Sequence, residues 1–167
     1  MQVKLTAEPA KRKGGMSMYK KILFPTCLTE SCAHVFDFAL RTAIEEKAKL
    51  WIYYGLGRVP YGESEVMEEI KKAEKQVAEE YAEKMKAKGF TDYAINVSDG
   101  DVVSEIVKLA RNAAIDVIIM GTGTKPPIPT GEAARVGPLG ETTAQTLLWA
   151  PCPVLVVPPA LVPGLAR

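Results

Sequence analysis

The chain has 167 residues, of which 47% are hydrophobic and 25% are charged, and its formal net charge at pH 7 is +1. This length and composition are typical of one globular domain with a substantial core. The small net charge excludes a whole-protein attraction to nucleic acid or to an anionic membrane surface. Because the chain has no apolar run of roughly 18 residues and no apolar signal segment, we expect a cytoplasmic protein without a membrane span.

Both ends of the chain are expected to lie outside the folded domain. The first residues are polar, end in the basic run Lys11-Arg12-Lys13 and show no periodicity, which predicts a disordered tail over residues 1–17. The alternative for this tail is a basic arm that contacts an acidic partner. We place the domain over residues 18–158 and a second tail over residues 159–167, with Met16 or Met18 as a candidate for the natural start.

The first strand and helix are predicted from an apolar run and the polar residues that follow it. Residues 19–26 predict a buried strand with solvated lysines near its start. Pro25 is expected to end this strand because proline has no N–H donor. Thr29 or Ser31 can cap the helix that follows. Apolar residues at helical spacing carry that helix to about Lys47.

Apolar runs and amphipathic stretches continue to alternate along the chain. Residues 49–54 and 93–97 predict the second and third strands, separated by a long helix over 64–88 that Gly89 ends. Asp101 is expected to cap a third helix that runs through residue 113. This strand–helix alternation predicts a parallel sheet with helices on both faces.

Residues 116–157 form the most informative stretch. The apolar run at 117–120 ends at Gly121-Thr122-Gly123, and a proline-rich segment, a helix over about 140–149 and a last apolar run at 154–157 follow. The glycine turn therefore lies at the carboxyl end of a strand. Open parallel sheets place their ligand sites at such strand ends, so we expect a ligand here.

Parts of this stretch resemble the C-terminal third of universal stress proteins. The resemblance is carried by Met120-Gly121-Thr122, by a glycine that leads the last helix, and by Ala150-Pro151-Cys152-Pro153 with the strand after it. The opening sequence YKKILFPT resembles the first strand of that family. The resemblance implies a Rossmann-like α/β fold with five parallel strands in the order 3-2-1-4-5. Strands 1 and 4 would then flank one crevice.

The nucleotide motif of that family is altered in this sequence. Nucleotide-binding members carry G-x2-G-x9-G-[S/T], and this chain has Gly121 but Thr124 at the second glycine position. Gly140 matches the last glycine, Glu141 replaces the Ser/Thr, and the intervening segment is longer than the pattern allows. The resemblance also implies an aspartate after the first strand that contacts adenosine, and Cys27 stands at that position.

The candidate ligand residues are those expected around the crevice. Glycines let backbone N–H groups approach an anion, and the last helix adds the positive end of its dipole. Glu141 would repel a phosphate, whereas Lys125 and Arg135 could compensate. The alternative is that the glycines only let strand and helix meet closely and that these charges are solvated. The candidate residues are Pro25, Thr26, Cys27, Gly121, Thr122, Gly123, Lys125, Gly140, Glu141 and Thr142.

The segment from Lys125 to Pro138 is stiffened by four prolines, Pro126, Pro127, Pro129 and Pro138. Beside the crevice it could act as a lid or a plug. It could equally be a plain surface loop, because long loops of both kinds are common.

The cysteines and the single histidine form no zinc-binding pattern. We expect Cys27 and Cys32 to be small apolar or partly exposed thiols, with a redox or metal role as the alternative. Cys152 is expected in the core and His34 on a helix surface. The motifs G-x-S-x-G, Walker A and G-x-G-x-x-G are absent from the sequence, so we expect no enzyme and assign no catalytic or metal residues.

The resemblance implies a small regulatory domain that responds to an adenine nucleotide, ATP or AMP, and the altered motif implies a changed phosphate site. The alternatives are a dimeric interaction protein that binds no nucleotide and a small enzyme or thiol-redox protein that uses Cys27. The last strand is short, apolar and at the sheet edge in the implied order, and such an edge invites pairing. The resemblance implies a homodimer through this strand, Val154, Leu155, Val156 and Val157.

Overall fold

The computed structural model describes residues 15–60, 62–123 and 139–158. The predicted proline-rich segment, the C-terminal tail and most of the N-terminal tail lie outside the described residues. Strands and helices alternate throughout, as the sequence predicts. They are β1 (Lys21–Thr26), α1 (Glu30–Glu46), β2 (Lys49–Gly55), α2 (Glu63–Ala87), β3 (Tyr93–Ser98), α3 (Val102–Asn112), β4 (Val117–Gly121), α4 (Glu141–Trp149) and β5 (Val154–Val157).

The strands form one sheet in the order β3-β2-β1-β4-β5, and every pairing in it is parallel. This confirms the predicted fold class and strand order. The chain winds outward from β1 to β3 and then returns to the other side of β1 to add β4 and β5. The direction of winding therefore reverses between β1 and β4, where doubly wound sheets leave a crevice.

The first strand differs from the prediction in its start and in the effect of Pro25. It begins at Lys21 and continues through Pro25 to Thr26, so the proline does not end it. Pro25 pairs with Tyr53 of β2, whereas the pairing of β1 with β4 stops at Leu23. Because proline has no N–H, it cannot extend a ladder to a second neighbour. The ends of β1 and β4 are therefore free to separate.

The sheet divides the apolar core into two layers. Helices α1 and α2 cover one face, where the rings of Phe24, Phe36 and Tyr81 pack together with Phe36 and Tyr81 stacked at 4.1 Å between centroids. On the opposite face, Leu23 and Ile118 pack with residues of α3. Neighbouring residues of β1 reach opposite layers because successive side chains of a strand alternate between faces.

The longest helix is amphipathic rather than apolar. α2 buries one stripe, Ala73, Val77, Tyr81 and Met85, and exposes charged residues over most of the remaining surface. It ends near Gly89, which has a φ of +62°, as the sequence predicts. In the part of the chain that the structure describes, no helix is long and apolar enough to cross a membrane.

A buried hydrogen bond joins α2 to the end of β1. The hydroxyl groups of Tyr81 and Thr26 are hydrogen-bonded to each other, and both residues are buried. Thr26 Oγ1 also accepts a hydrogen bond of 3.1 Å from the Leu28 N–H. Burial raises the pKa of Tyr81, while the bond to Thr26 acts in the opposite direction. Tyr81 thus stays neutral at ordinary pH and holds Thr26, the last residue of β1.

We expect Tyr81→Phe to lower the free energy of unfolding by about 1 kcal/mol, because it removes one buried hydrogen bond and keeps the ring packing. Urea denaturation, monitored by circular dichroism, measures the change in the free energy of unfolding. Tyr93→Phe is the matched control, because Tyr93 is 38% exposed and its change should stay within about 0.5 kcal/mol. Equal effects of the two substitutions would contradict the role given to the Tyr81 hydroxyl.

Candidate functional site

A cavity of about 890 Å³ lies at the carboxyl edge of the sheet. The ends of β1, β2 and β4 form its floor, and the first residues of α1, α3 and α4 form its walls. The cavity arises because β1 and β4 separate there and because each following helix starts from this edge. Its volume is within the range of roughly 300–1,000 Å³ that is usual for small-molecule sites.

Most of the predicted ligand residues line this cavity. The structure brings together two segments that are far apart in sequence, one after β1 and one after β4. The predicted residues on its wall are Pro25, Thr26, Cys27, Gly121, Thr122, Gly123 and Thr142.

Three predicted residues are placed differently. Gly140 packs against Gly123. Glu141 borders a second cavity of about 720 Å³ between α3 and α4, whose wall also includes Arg58 and Lys108. Lys125 lies outside the described residues.

The glycines after β4 allow a close backbone contact with the start of α4. Gly123 has a φ of +68°, and the N–H of Gly140 donates to the carbonyl of Thr122 at 2.8 Å. A Cβ atom on Gly140 would lie 2.7 Å from the carbonyl oxygen of Gly123. The hydroxyl of Thr143 adds a bond of 2.9 Å to the carbonyl of Gly121. This geometry supports the alternative that these glycines let strand and helix meet closely.

The cavity wall is mixed in chemistry and poor in positive charge. Its apolar part includes Tyr54, Ile106 and Met120, and hydroxyl groups from threonines and a serine are interspersed. Glu30 is an acidic residue on the wall, and no lysine or arginine is found there among the described residues. Glu30 and Glu141 also occupy the first turns of α1 and α4, where carboxylates offset the positive ends of the helix dipoles. The wall therefore suits a weakly charged molecule with both apolar and hydrogen-bonding groups.

Sequence reasoning missed the contributions of β2 and of the first turns of α1 and α3. β2 is adjacent to β1 in the implied strand order, so its last residues could have been placed at this edge. The wall residues missed in this way are Thr29, Glu30, Ser31, Cys32, His34, Tyr53, Tyr54, Gly55, Val102 and Ile106.

The expectation of a surface histidine is wrong. His34 lies on the cavity wall, half-buried, and neither ring nitrogen has a hydrogen-bond partner among the described residues. Burial lowers the pKa of His34, and the nearby carboxylate of Asp37 acts in the opposite direction. At neutral pH the ring is thus uncharged and contributes no cation to the cavity.

The expectation of two free thiols at Cys27 and Cys32 is also wrong, because these residues form a disulfide bond. The turn between β1 and α1 brings their Cα atoms to 6.4 Å, within the usual range for a disulfide. Cys152 is a free cysteine and is half-buried rather than fully in the core. Burial, followed by the charge of Asp116, raises the pKa of its thiol. Within the described ranges, no group of three His, Cys, Asp or Glu residues is arranged to hold a metal ion.

These features define a Rossmann-like α/β domain with a ligand-sized cavity at the switch point of its parallel sheet. The sequence model of the universal stress protein family matches residues 18–158. The chain therefore belongs to the universal stress protein family.

Three relatives illustrate the similarity. Universal stress protein MJ0531 of Methanocaldococcus jannaschii is 29% identical over 87% of this chain and 85% of its own length. A universal stress protein in complex with cAMP is 21% identical, with a TM-score of 0.62 over 84% of this chain and 98% of that chain. The universal stress protein from Archaeoglobus fulgidus in complex with dAMP is 15% identical, with a TM-score of 0.59 over 83% and 98%. At these identities the two solved structures show the shared fold.

We expect Gly140→Ala to lower the free energy of unfolding by about 1–3 kcal/mol, because the new methyl group would overlap the backbone of Gly123. Chemical denaturation of both proteins measures the loss. Gly62→Ala is the matched control: Gly62 also caps a helix with a negative φ, and no described atom lies within 4 Å of its Cβ position. A loss no greater than that of Gly62→Ala would show that the contact with Gly123 is not tight.

Proposed function

We propose that this protein is a regulatory binding domain whose cavity takes adenosine or an adenine nucleotide of low charge, with AMP preferred to ATP. The observation that carries the proposal is the cavity between β1 and β4, which combines an apolar wall with hydroxyl groups and has no described lysine or arginine on it. Its volume of about 890 Å³ is ample for a nucleoside monophosphate. Relatives of the same fold described in complex with cAMP and dAMP support an adenine ligand.

The preference for low charge follows from Glu30 on the wall and from Glu141, which starts α4 beside the wall residue Thr142 although it borders the second cavity. A phosphate group is stabilised by the N-terminus of a helix, but α1 and α4 carry Glu30 and Glu141 in their first turns. Each unfavourable carboxylate acts on every negative charge of the ligand, so a triphosphate is disfavoured more than a monophosphate. A hydrogen bond between the protein and a charged phosphate group contributes about 1.5–3 kcal/mol, whereas about 1.4 kcal/mol corresponds to a tenfold change in affinity. The loss of one such bond is therefore enough to weaken nucleotide binding about tenfold.

We expect AMP to bind about tenfold more tightly than ATP, as measured by isothermal titration calorimetry at fixed ionic strength. Glu141→Gln should reduce the difference between the affinities for AMP and ATP, because the substitution removes a negative charge at the start of α4 and keeps the side-chain size. Glu79→Gln is the matched control, since Glu79 is paired with Lys75 on the exposed surface of α2. Tight, magnesium-dependent ATP binding by the unmodified protein would contradict the proposal.

A second candidate role is interaction with another copy of the chain through β5. This four-residue strand lies at the sheet edge, and no strand of the described residues pairs with its outer side. The last turn of α4, just before β5, exposes Leu147, Leu148 and Trp149, of which Leu148 is 77% exposed. Exposed apolar residues beside an edge strand favour a homodimer whose β5 strands pair.

We expect the unmodified protein to be a dimer at micromolar concentration by light scattering, and Val156→Lys to shift it towards monomer. A lysine on the edge strand introduces charges that oppose strand pairing. Val97→Lys is the matched control, because Val97 lies on β3 at the opposite edge of the sheet. A monomeric unmodified protein, or a dimer that withstands Val156→Lys while circular dichroism shows a folded chain, would exclude this interface.

A further inference from the structure

We propose that Cys27 and Cys32 form a reversible thiol–disulfide site on the cavity wall, and that reduction of this bond loosens the loop between β1 and α1. Both cysteines line the cavity, Cys27 just after β1 and Cys32 in the first turn of α1. Cys27 is exposed and Cys32 is half-buried. A soluble thiol can therefore reach the bond from the Cys27 side.

The surroundings of the two sulfur atoms set the direction of exchange. Cys32 Sγ accepts a hydrogen bond of 3.3 Å from the backbone N–H of Cys27 and lies at the positive end of α1. Both features stabilise a thiolate at Cys32, although Glu30 in the same turn acts against them. Cys27 Sγ contacts the hydroxyl of Thr29 at 3.0 Å. Cys32 is thus the better leaving group and Cys27 the sulfur that is attacked.

The reductant in this exchange is a dithiol. The thiolate of the dithiol attacks Cys27 Sγ, a mixed disulfide forms there, and the electron pair of the broken bond leaves on Cys32 Sγ. The second thiol of the reductant then displaces Cys27 as a thiolate and closes its own disulfide. Two protons pass from the dithiol to the two cysteines, so the protein gains two electrons and two protons.

The loop that the bond closes is held in an unfavourable conformation. Leu28 has a φ of +57°, a backbone conformation that residues other than glycine rarely adopt. The bond of Leu28 N–H to Thr26, at 3.1 Å, and the contact between the Thr29 and Ser31 hydroxyls, at 2.7 Å, hold the same turn. Without the disulfide, the relaxation of Leu28 is opposed by these contacts, by the bond of Cys32 N–H to the Thr29 carbonyl and by the packing of Leu28 against the core. Thr29 and Ser31 are on the wall, so the relaxation alters the cavity.

We expect the relaxation of the loop after reduction not to extend into β1. Thr26 is buried and bonded to Tyr81 of α2, which keeps that residue in place whatever the state of the cysteines. Cys152 precedes β5 and therefore lies near the amino-terminal ends of the parallel strands, whereas the cavity lies at their carboxyl ends. It provides an internal control for effects of thiol chemistry elsewhere in the protein.

The first test is a redox titration of the native protein in mixtures of reduced and oxidised dithiothreitol, followed by alkylation and intact-mass measurement. We expect one reversible step that exposes two thiols in the unmodified protein and in Cys152→Ser. The step should be lost in Cys27→Ser and in Cys32→Ser. A bond that stays closed in excess dithiothreitol without denaturant, or that fails to re-form in the oxidised reagent, overturns the proposal.

The second test is hydrogen exchange of the oxidised and reduced forms of Cys152→Ser. We expect amides of residues 27–32 to exchange at least fivefold faster after reduction, whereas those of α2 keep their rates. The double variant Cys27→Ser and Cys32→Ser should match the reduced form. Equal protection of residues 27–32 in both forms overturns the effect on the loop.

The third test uses AMP as a probe of the cavity and rests on the proposed function. We expect the dissociation constant for AMP, measured by calorimetry, to differ at least threefold between the oxidised and reduced forms of Cys152→Ser. An equal affinity overturns the effect of the bond on the cavity. AMP binding to neither form contradicts the proposed ligand only, and the hydrogen-exchange result then decides whether the bond controls the loop.

Discussion

The gap between the ends of β1 and β4 is the constraint on which the rest of the structure depends. These strands pair only near their beginnings, at Ile22 and Leu23, because Pro25 cannot donate to a second neighbour and the winding of the chain reverses there. The gap determines where α1 and α4 must start. It also leaves free backbone groups that a continuous ladder would have paired, and so places a cavity at the carboxyl ends of these strands.

The rim of the gap is held by short polar contacts. Tyr81 secures Thr26 on one side, and on the other Thr143 and Gly140 join the start of α4 to the end of β4. Each contact satisfies a backbone or hydroxyl group that would otherwise be buried without a partner. A cavity can therefore persist beside a close-packed core because its edges are fixed independently of any ligand.

The chemistry of the wall and the disulfide act on the same surface. Carboxylates at the starts of α1 and α4 weaken the attraction that these helix ends offer to phosphate, and the neutral His34 adds no compensating charge. The Cys27–Cys32 bond closes the turn that carries Thr29 and Ser31. We thus propose that ligand preference depends on charge and that the shape of the wall depends on the state of this bond.

The sequence by itself determined the order of elements and the fold class, because hydrophobic periodicity and markers such as Gly89 and Asp101 act over a few residues. It also located the segments after β1 and β4, since strand order follows from the family resemblance. Only the tertiary structure decided that Cys27 bonds to Cys32, that His34 is on the wall and that Gly140 packs on Gly123. These facts depend on through-space distances that the turn at Leu28 and the docking of α4 set, and no local pattern of residues encodes such distances.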